Sequence, residues 1–300
     1  MTSYNEEKLQ HYKEKNKNRA RLLIHCPDQP GIISRISEFL FSHDANIVAS
    51  HQYSTDPEGG EFFIRLEFDC PELEAKFEQI EVDFQPIAAE FNMDWKLTAV
   101  RELKNVAIFV SKQPHCLLEL LWEWQSSDLM ANLAVVISNH EDTREMVESL
   151  GIPFYHVPSN KDIRHEAEAR HKEILDEHDT DLVVLARYMQ ILTPEFVESY
   201  RNRIINIHHS FLPAFVGARP YERAYERGVK MIGATSHYVT NDLDEGPIIE
   251  QDIGRVDHRD HVEDMKKIGQ TIERSVLARA VKWHLADRIL VHQNKTIVFS

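Results

Sequence analysis

The spacing of apolar residues changes character near residue 100. Before it, a short apolar run, Arg21–Cys26 (RLLIHC), meets a turn signal, Pro27–Gly31 (PDQPG). Ile32, Ile36, Phe39 and Leu40 then recur at the three-to-four-residue spacing of an amphipathic helix. Asn46–Ser54 predicts a strand, Pro57–Gly60 (PEGG) a hairpin turn, and the alternation in Glu61–Phe68 (EFFIRLEF) its partner strand. A second helix is predicted from about Pro71 to Phe91, and a closing strand at Trp95–Val100. The order β-α-β-β-α-β is that of a ferredoxin-like domain.

After residue 105 the pattern alternates strand and helix. Strands are predicted at Val106–Ser111, Leu133–Ser138, Pro153–Val157, Leu182–Ala186, Arg203–Ile207 and Met231–Val239. Helices are predicted at Cys116–Trp124, Asp142–Leu150 and Asp162–Glu177. A long amphipathic helix places Val262, Ile268, Ile272, Val276, Ala280 and Leu285 on or near one face. The unbroken apolar run Leu182–Ala186 (LVVLA) suits a strand buried on both faces of a parallel sheet. This order implies a Rossmann-like, mostly parallel, doubly wound sheet. The chain therefore reads as α/β: a charged extension (1–19), a ferredoxin-like domain (20–100), a linker (101–105, RELKN) and a doubly wound domain (106–300).

Composition narrows the chemistry. A net charge of −15 excludes nucleic acid as the main partner, since phosphate binding needs a basic surface. The N-terminus is charged throughout, and no apolar run reaches membrane-spanning length, so a cytoplasmic protein without a membrane partner is expected. Cys26, Cys70 and Cys116 form no CxxC pair and read as buried free thiols. His258/His261 and His208–His209 offer too few ligands for zinc, so no metal is expected and they read as solvent-exposed histidines.

The strongest chemical signal is Asn206-Ile207-His208 with Asp244 lying 36 residues beyond His208 (244 − 208 = 36). An amide, an imidazole and a carboxylate can carry out carbonyl chemistry without a metal: the amide holds an oxyanion, the imidazole moves protons, and the carboxylate orients water or the imidazole. Two neighbouring strand ends are expected to bring the three together, because sites in open α/β sheets lie at the carboxyl ends of strands.

Asn206–Phe215 (NIHHSFLPAF) and Thr240–Pro247 (TNDLDEGP) together resemble the folate-dependent formyltransferase family over about residues 105–290. The resemblance implies catalytic roles for Asn206, His208 and Asp244. It also implies a folate pocket formed by Met189, Gln190, Ile191 and Leu192 within Leu185–Val197, with Leu243, His237 and the basic Arg164. The bland alternatives are core packing for the 189–192 segment, a strand histidine packed beside the site for His237, and a solvated helix charge for Arg164. The segment Cys26–Ser54 resembles an ACT domain. That implies an amino-acid effector of the methionine or glycine type near Asp28, Gln29, Gly31 and Asn46, or alternatively a ligand-free packing module. ACT-like sheets pair edge to edge, so a homo-oligomer, dimer or tetramer, is expected.

Departures from the family point to the acceptor. Glycinamide ribonucleotide transformylases carry a glycine-rich phosphate loop after the first strand, where this chain reads Ser111–Cys116 (SKQPHC), without glycine and with a proline that lacks an N–H. The β-barrel by which tRNA-formylating relatives engage tRNA has no counterpart. Water is the remaining acceptor. The combination resembles the hydrolytic branch of the family, which converts 10-formyltetrahydrofolate, as substrate rather than resident cofactor, to formate and tetrahydrofolate and so supplies formate for purine synthesis. Formyl transfer to an amine such as glycinamide ribonucleotide, and a non-catalytic folate or amino-acid sensor, are the alternatives.

Overall fold

The structure, a computed structural model, describes residues 3–56, 58–214 and 219–299; Pro57 of the expected hairpin turn and Phe215 of the Asn206 motif lie outside them. The chain divides into two compact units. One holds Ser3–Leu103, Asp287–Leu290 and the chain end from Ile297; the other holds Lys104–Ala286 and Val291–Thr296. The chain end is thus shared between the units, whereas the sequence reading assigns all of 106–300 to one domain. Among the described residues, no helix is long and apolar enough to cross a membrane.

The first unit contains α1 (Ser3–Lys15), β1 (Arg19–Pro27), α2 (Ile32–Ser42), β2 (Asn46–Ser54), β3 (Glu61–Asp69), α3 (Leu73–Glu90) and β4 (Asp94–Ala99). Its strands form an antiparallel sheet in the order β2-β3-β1-β4, the ferredoxin-like arrangement. Successive strand residues point to opposite faces, so Leu22 and Ile24 of β1 and Phe62, Ile64, Leu66 and Phe68 of β3 share one face. They form one core with Ile36, Phe39 and Leu40 of α2 and Leu73, Ile80, Phe84 and Ile87 of α3. The opposite face buries Arg65, which donates to Glu67 and to the Asp287 carbonyl, both at 2.9 Å. Without such partners a buried guanidinium would cost several kcal/mol. Gly31 precedes α2 at φ 98°, a left-handed conformation that glycine adopts without steric cost.

The second unit contains β5 (Asn105–Val110), α4 (His115–Ser126), β6 (Asn132–Ser138), α5 (Arg144–Ser149), β7 (Phe154–His156), α6 (Arg164–Glu177), β8 (Leu182–Ala186), α7 (Pro194–Ser199), β9 (Ile204–His208), α8 (Pro220–Arg227), β10 (Met231–Tyr238), β11 (Ile248–Arg255) and α9 (Val262–Leu285). The hairpin β12 (Ile289–His292) and β13 (Lys295–Val298) closes the chain. The seven-stranded sheet runs β11-β10-β9-β8-β5-β6-β7. Strands β5 to β9 are mutually parallel, and the order reverses at β5, from which β6 and β8 depart in opposite directions. A crevice opens at such a switch point. Every residue of β8 is buried, as its apolar run predicts.

β10 pairs antiparallel with both neighbours. Its carboxyl end therefore lies beside the beginning of β9, and the expectation of two neighbouring carboxyl ends is corrected. Antiparallel neighbours need no crossover helix, and β11 follows β10 with no helix between them. The sequence reading also omits α7, α8, β11 and the hairpin. The first two are only six and eight residues long, and β11 mixes buried and exposed positions without clean alternation.

His171 on α6 is 1% exposed, edge-on to Phe109, and neither ring nitrogen has a partner among the described residues. Burial pulls its pKa down to about 4 from an ordinary 6.5. The unfolded chain therefore binds the proton first as pH falls. Stability from this group is intact above about pH 6.5 and is lost progressively down to about pH 4, by roughly 3 kcal/mol. His171→Phe is expected to flatten the pH dependence of urea-unfolding free energy between pH 4 and 6.5; an unchanged slope would show that His171 does not set it.

Candidate active site

Asn206 and His208 are two residues apart on β9 and so project from the same face of the sheet. The register sets His237 of β10 opposite Asn206, and Thr235 opposite His208. His237 Nδ1 lies 2.9 Å from its neighbour's carbonyl, Tyr238 O, and donates to it. The Nε2 of a neutral ring then accepts from Asn206 Nδ2 at 3.2 Å, which orients the amide.

Asp244 comes from the loop that follows β10. Because β10 is antiparallel, this loop must fold back along its own strand to reach His208. Tyr238 N donates to Pro247 O at 2.9 Å, Val239 N donates to Ile204 O at 2.9 Å, and Asn294 Nδ2 donates to Glu245 O at 2.9 Å. Asp244 adopts φ 58°, a left-handed conformation that aspartate tolerates better than most residues. Its Oδ2 lies 3.2 Å from His208 Nδ1, and its Oδ1 lies 3.7 Å from His237 Nε2. Burial alone would raise the Asp244 pKa, but the hydrogen bond with His208 outweighs it and holds the carboxyl well below its usual range. A carboxylate on Nδ1 leaves Nε2 as the free ring nitrogen of His208; it is buried and has no partner among the described residues.

The turn after His208 is clamped from β10 and β11. Leu212 N donates to Thr235 Oγ1 at 3.0 Å, the Thr235 hydroxyl donates to Ser210 O at 2.9 Å, and Gln251 Nε2 donates to Leu212 O at 3.0 Å. His208 itself is only 6% exposed, which corrects the reading of His208–His209 as a solvent-exposed pair. Burial, reinforced by Arg187 and His208, pulls the His209 pKa down to about 4.

Asn206, His208, His237 and Asp244 line one cavity of about 460 Å³ together with Met189, Gln190, Ile191, Leu192 and Leu243. Met189, Ile191 and Leu243 are 58%, 52% and 59% exposed, an unusual amount of open apolar surface beside polar groups, and the make-up of a pocket for a flat, partly apolar ligand. The 189–193 segment is held at both ends. Met189 N donates to Ser111 Oγ at 3.1 Å, and Thr193 N donates to the buried Glu168 carboxylate at 2.7 Å. Arg164 is half-buried, one turn before Glu168 on α6, but it is not among the residues lining the cavity. In the other unit, Asp28 is engaged by the Ser54 hydroxyl, Gln29 and Asn46 are exposed, and Gly31 precedes α2.

The structure adds Arg187, Tyr188, His209, Arg219, Thr240 and Asn241 to the lining. Arg187 was visible in principle: it directly follows the buried LVVLA run, at the carboxyl end of a central parallel strand. Glu273, on α9 and 1% exposed, accepts from Tyr221 Oη and lies 2.7 Å from His115 Nε2. His115, Cys116 and Glu273 bring three potential metal-ligand atoms within 4.8 Å of one another, but their carboxylate is already engaged by His115, Tyr221 and Arg187.

A mostly parallel α/β sheet with an amide, a carboxylate-backed imidazole and a partly apolar cavity at β8, β9 and β10, joined to a ferredoxin-like unit, defines a class of carbonyl-transfer protein. Residues 104–281 match the formyl transferase family, and residues 20–84 match the ACT domain. The chain is 65% identical to a formyltetrahydrofolate deformylase of Bacillus subtilis over 300 residues, the whole of both chains. The crystal structure of a formyltetrahydrofolate deformylase from Pseudomonas syringae superposes with a TM-score of 0.89 at 48% identity, covering 97% of this chain and 99% of that one. A glycinamide ribonucleotide transformylase from Symbiobacterium toebii matches 66% of this chain and 95% of its own, with a TM-score of 0.62 at 29% identity. The chain belongs to the formyl transferases and, among them, to the formyltetrahydrofolate deformylase family.

Gly246 lets the Asp244 loop return: a Cβ there would lie 1.8 Å from Tyr238 O. Gly246→Ala is expected to destabilise this unit by at least the ~1–3 kcal/mol typical of overpacking, and to lengthen the His208–Asp244 separation. Urea unfolding and a crystal structure of the variant check both, and an unmoved Asp244 would show that the close approach is dispensable.

Proposed function

We propose that this cavity hydrolyses 10-formyltetrahydrofolate to formate and tetrahydrofolate. The reading is carried by the Asp244–His208 pair, with His208 Nε2 unpartnered in a crevice walled by Met189–Leu192 and Leu243. The name borne by the B. subtilis relative supports it. The folate ring packs on the apolar segment and places the formyl group over β9. Asp244, ionised, accepts from the Nδ1–H of His208 and sets the tautomer in which Nε2 takes a proton from water. The water oxygen bonds to the formyl carbon, and the resulting oxyanion accepts from Asn206 Nδ2, whose amide His237 orients. The imidazolium, stabilised by Asp244, returns its proton to N10 as the C–N10 bond breaks. An oxyanion donor supplies on the order of 10²–10³ in rate, and the acid–base group about 10²–10⁴.

The ACT unit is proposed to regulate this reaction through a small amino acid of the methionine or glycine type at the Asp28–Gly31 turn. Two copies are proposed to associate through the exposed β2, on which Ile47, Val48 and Tyr53 lie open.

The test is formate release from 10-formyltetrahydrofolate with no amine present. His208→Ala is expected to lose at least about 100-fold in kcat and Asn206→Ala roughly 100- to 1000-fold, with folate affinity largely kept. Near-parental turnover in His208→Ala would remove His208 from the chemistry, and formyl transfer only on adding an amine would replace hydrolysis by transfer.

A further inference from the structure

Arg187 directly follows β8 at φ 62°, a left-handed conformation unfavourable for a long side chain. It is 8% exposed and lines the cavity that holds His208 and Asp244. Its Nη2 donates to Gln113 Oε1 at 3.0 Å and its Nε lies 3.5 Å from Glu273 Oε2, an ion pair without a hydrogen bond, so that Nε and Nη1 are both buried without a hydrogen-bond partner among the described residues. Glu273 is gripped in turn by His115 and Tyr221, each at 2.7 Å. The grip is built into α9: a Cβ at Gly269 would lie 1.9 Å from Tyr221 Oη. Gln113 and His115 belong to the glycine-free segment that occupies the place of the amine substrate's phosphate loop. The same segment thus lacks the glycines of a cradle and instead anchors a buried guanidinium in the lining of the cavity that holds His208.

From these contacts we infer that Arg187 is the specificity-determining residue of the reaction: held by Glu273 and Gln113, its side chain fills the acceptor side of the cavity and leaves space for water but not for an amine. The unpartnered Nη1 supplies a donor for that water. This rests on the hydrolytic reading above. Removing the side chain opens a volume next to His208 in which an amine nitrogen can attack the formyl carbon. The N–C bond then forms, the C–N10 bond breaks, and the amine's proton passes through His208 to N10.

The experiment uses the full-length chain, 10-formyltetrahydrofolate and hydroxylamine or glycinamide, and measures the ratio of N-formyl amine to formate. Arg187→Gly, which also relieves the backbone, is expected to raise that ratio at least tenfold over the parent. Arg187→Met, which keeps the bulk, is expected to stay within about twofold of the parent. If Arg187→Gly does not fold, Gln113→Ala, which frees the guanidinium, is expected to raise the ratio severalfold. An unchanged ratio in a folded Arg187→Gly, or in Gln113→Ala where the glycine variant does not fold, overturns the inference, as does an Arg187→Met ratio equal to that of Arg187→Gly. A parent that releases no formate without amine would instead overturn the hydrolytic reading, whatever the variants do.

Discussion

Asn206 faces His237 because β10 runs antiparallel to β9, and most of the site follows from that one register. In a continued parallel sheet the next strand would be reached through a crossover, and its carboxyl end would sit level with that of β9. Here the strand arrives reversed. The peptide leaving it must turn back on itself to bring a carboxylate to His208. That return depends on Gly246 passing close to Tyr238 O, on the left-handed backbone at Asp244, and on Asn294 holding Glu245 O. A slip of one residue would turn Asn206 and His208 to the other face together.

Two buried sets of charges share the cavity, and they differ in purpose. Asp244 beside His208 is a carboxylate kept ionised against desolvation, which fixes a tautomer and leaves the other ring nitrogen of His208 without a partner among the described residues. Arg187 is tied to Gln113 by one hydrogen bond and paired with Glu273, which His115 and Tyr221 hold in turn. Removing one partner from a buried ion pair costs about 3–5 kcal/mol, which suits the space-filling role proposed for Arg187. His209 lies between the two sets and is kept neutral by burial and by the neighbouring guanidinium, so it does not compete with His208 for a proton.

Much of this was legible residue by residue. The alternation in Glu61–Phe68, the apolar run Leu182–Ala186 and the Asn206–Phe215 and Thr240–Pro247 motifs each carry a local signal, because strand period and motif chemistry are properties of residues close together in the chain. Arg187 and Glu273 were not singled out. Each is an ordinary charged residue in its own segment, and only the contact between the end of β8 and the middle of α9, 86 residues apart (273 − 187 = 86), makes them a pair. The direction of β10 was missed for a similar reason: a strand of Met231–Tyr238 composition reads the same whichever way it enters the sheet.

The sequence by itself determined the two-unit α/β organisation through its periodicity, and pointed to formyl chemistry through motifs, each closed within a dozen residues, that resemble a known family. Tertiary structure alone decided how Asp244 reaches His208, which nitrogen of His208 is left free, and what occupies the space opposite. Those are matters of distance and burial between segments far apart in the chain, and only the folded backbone sets them.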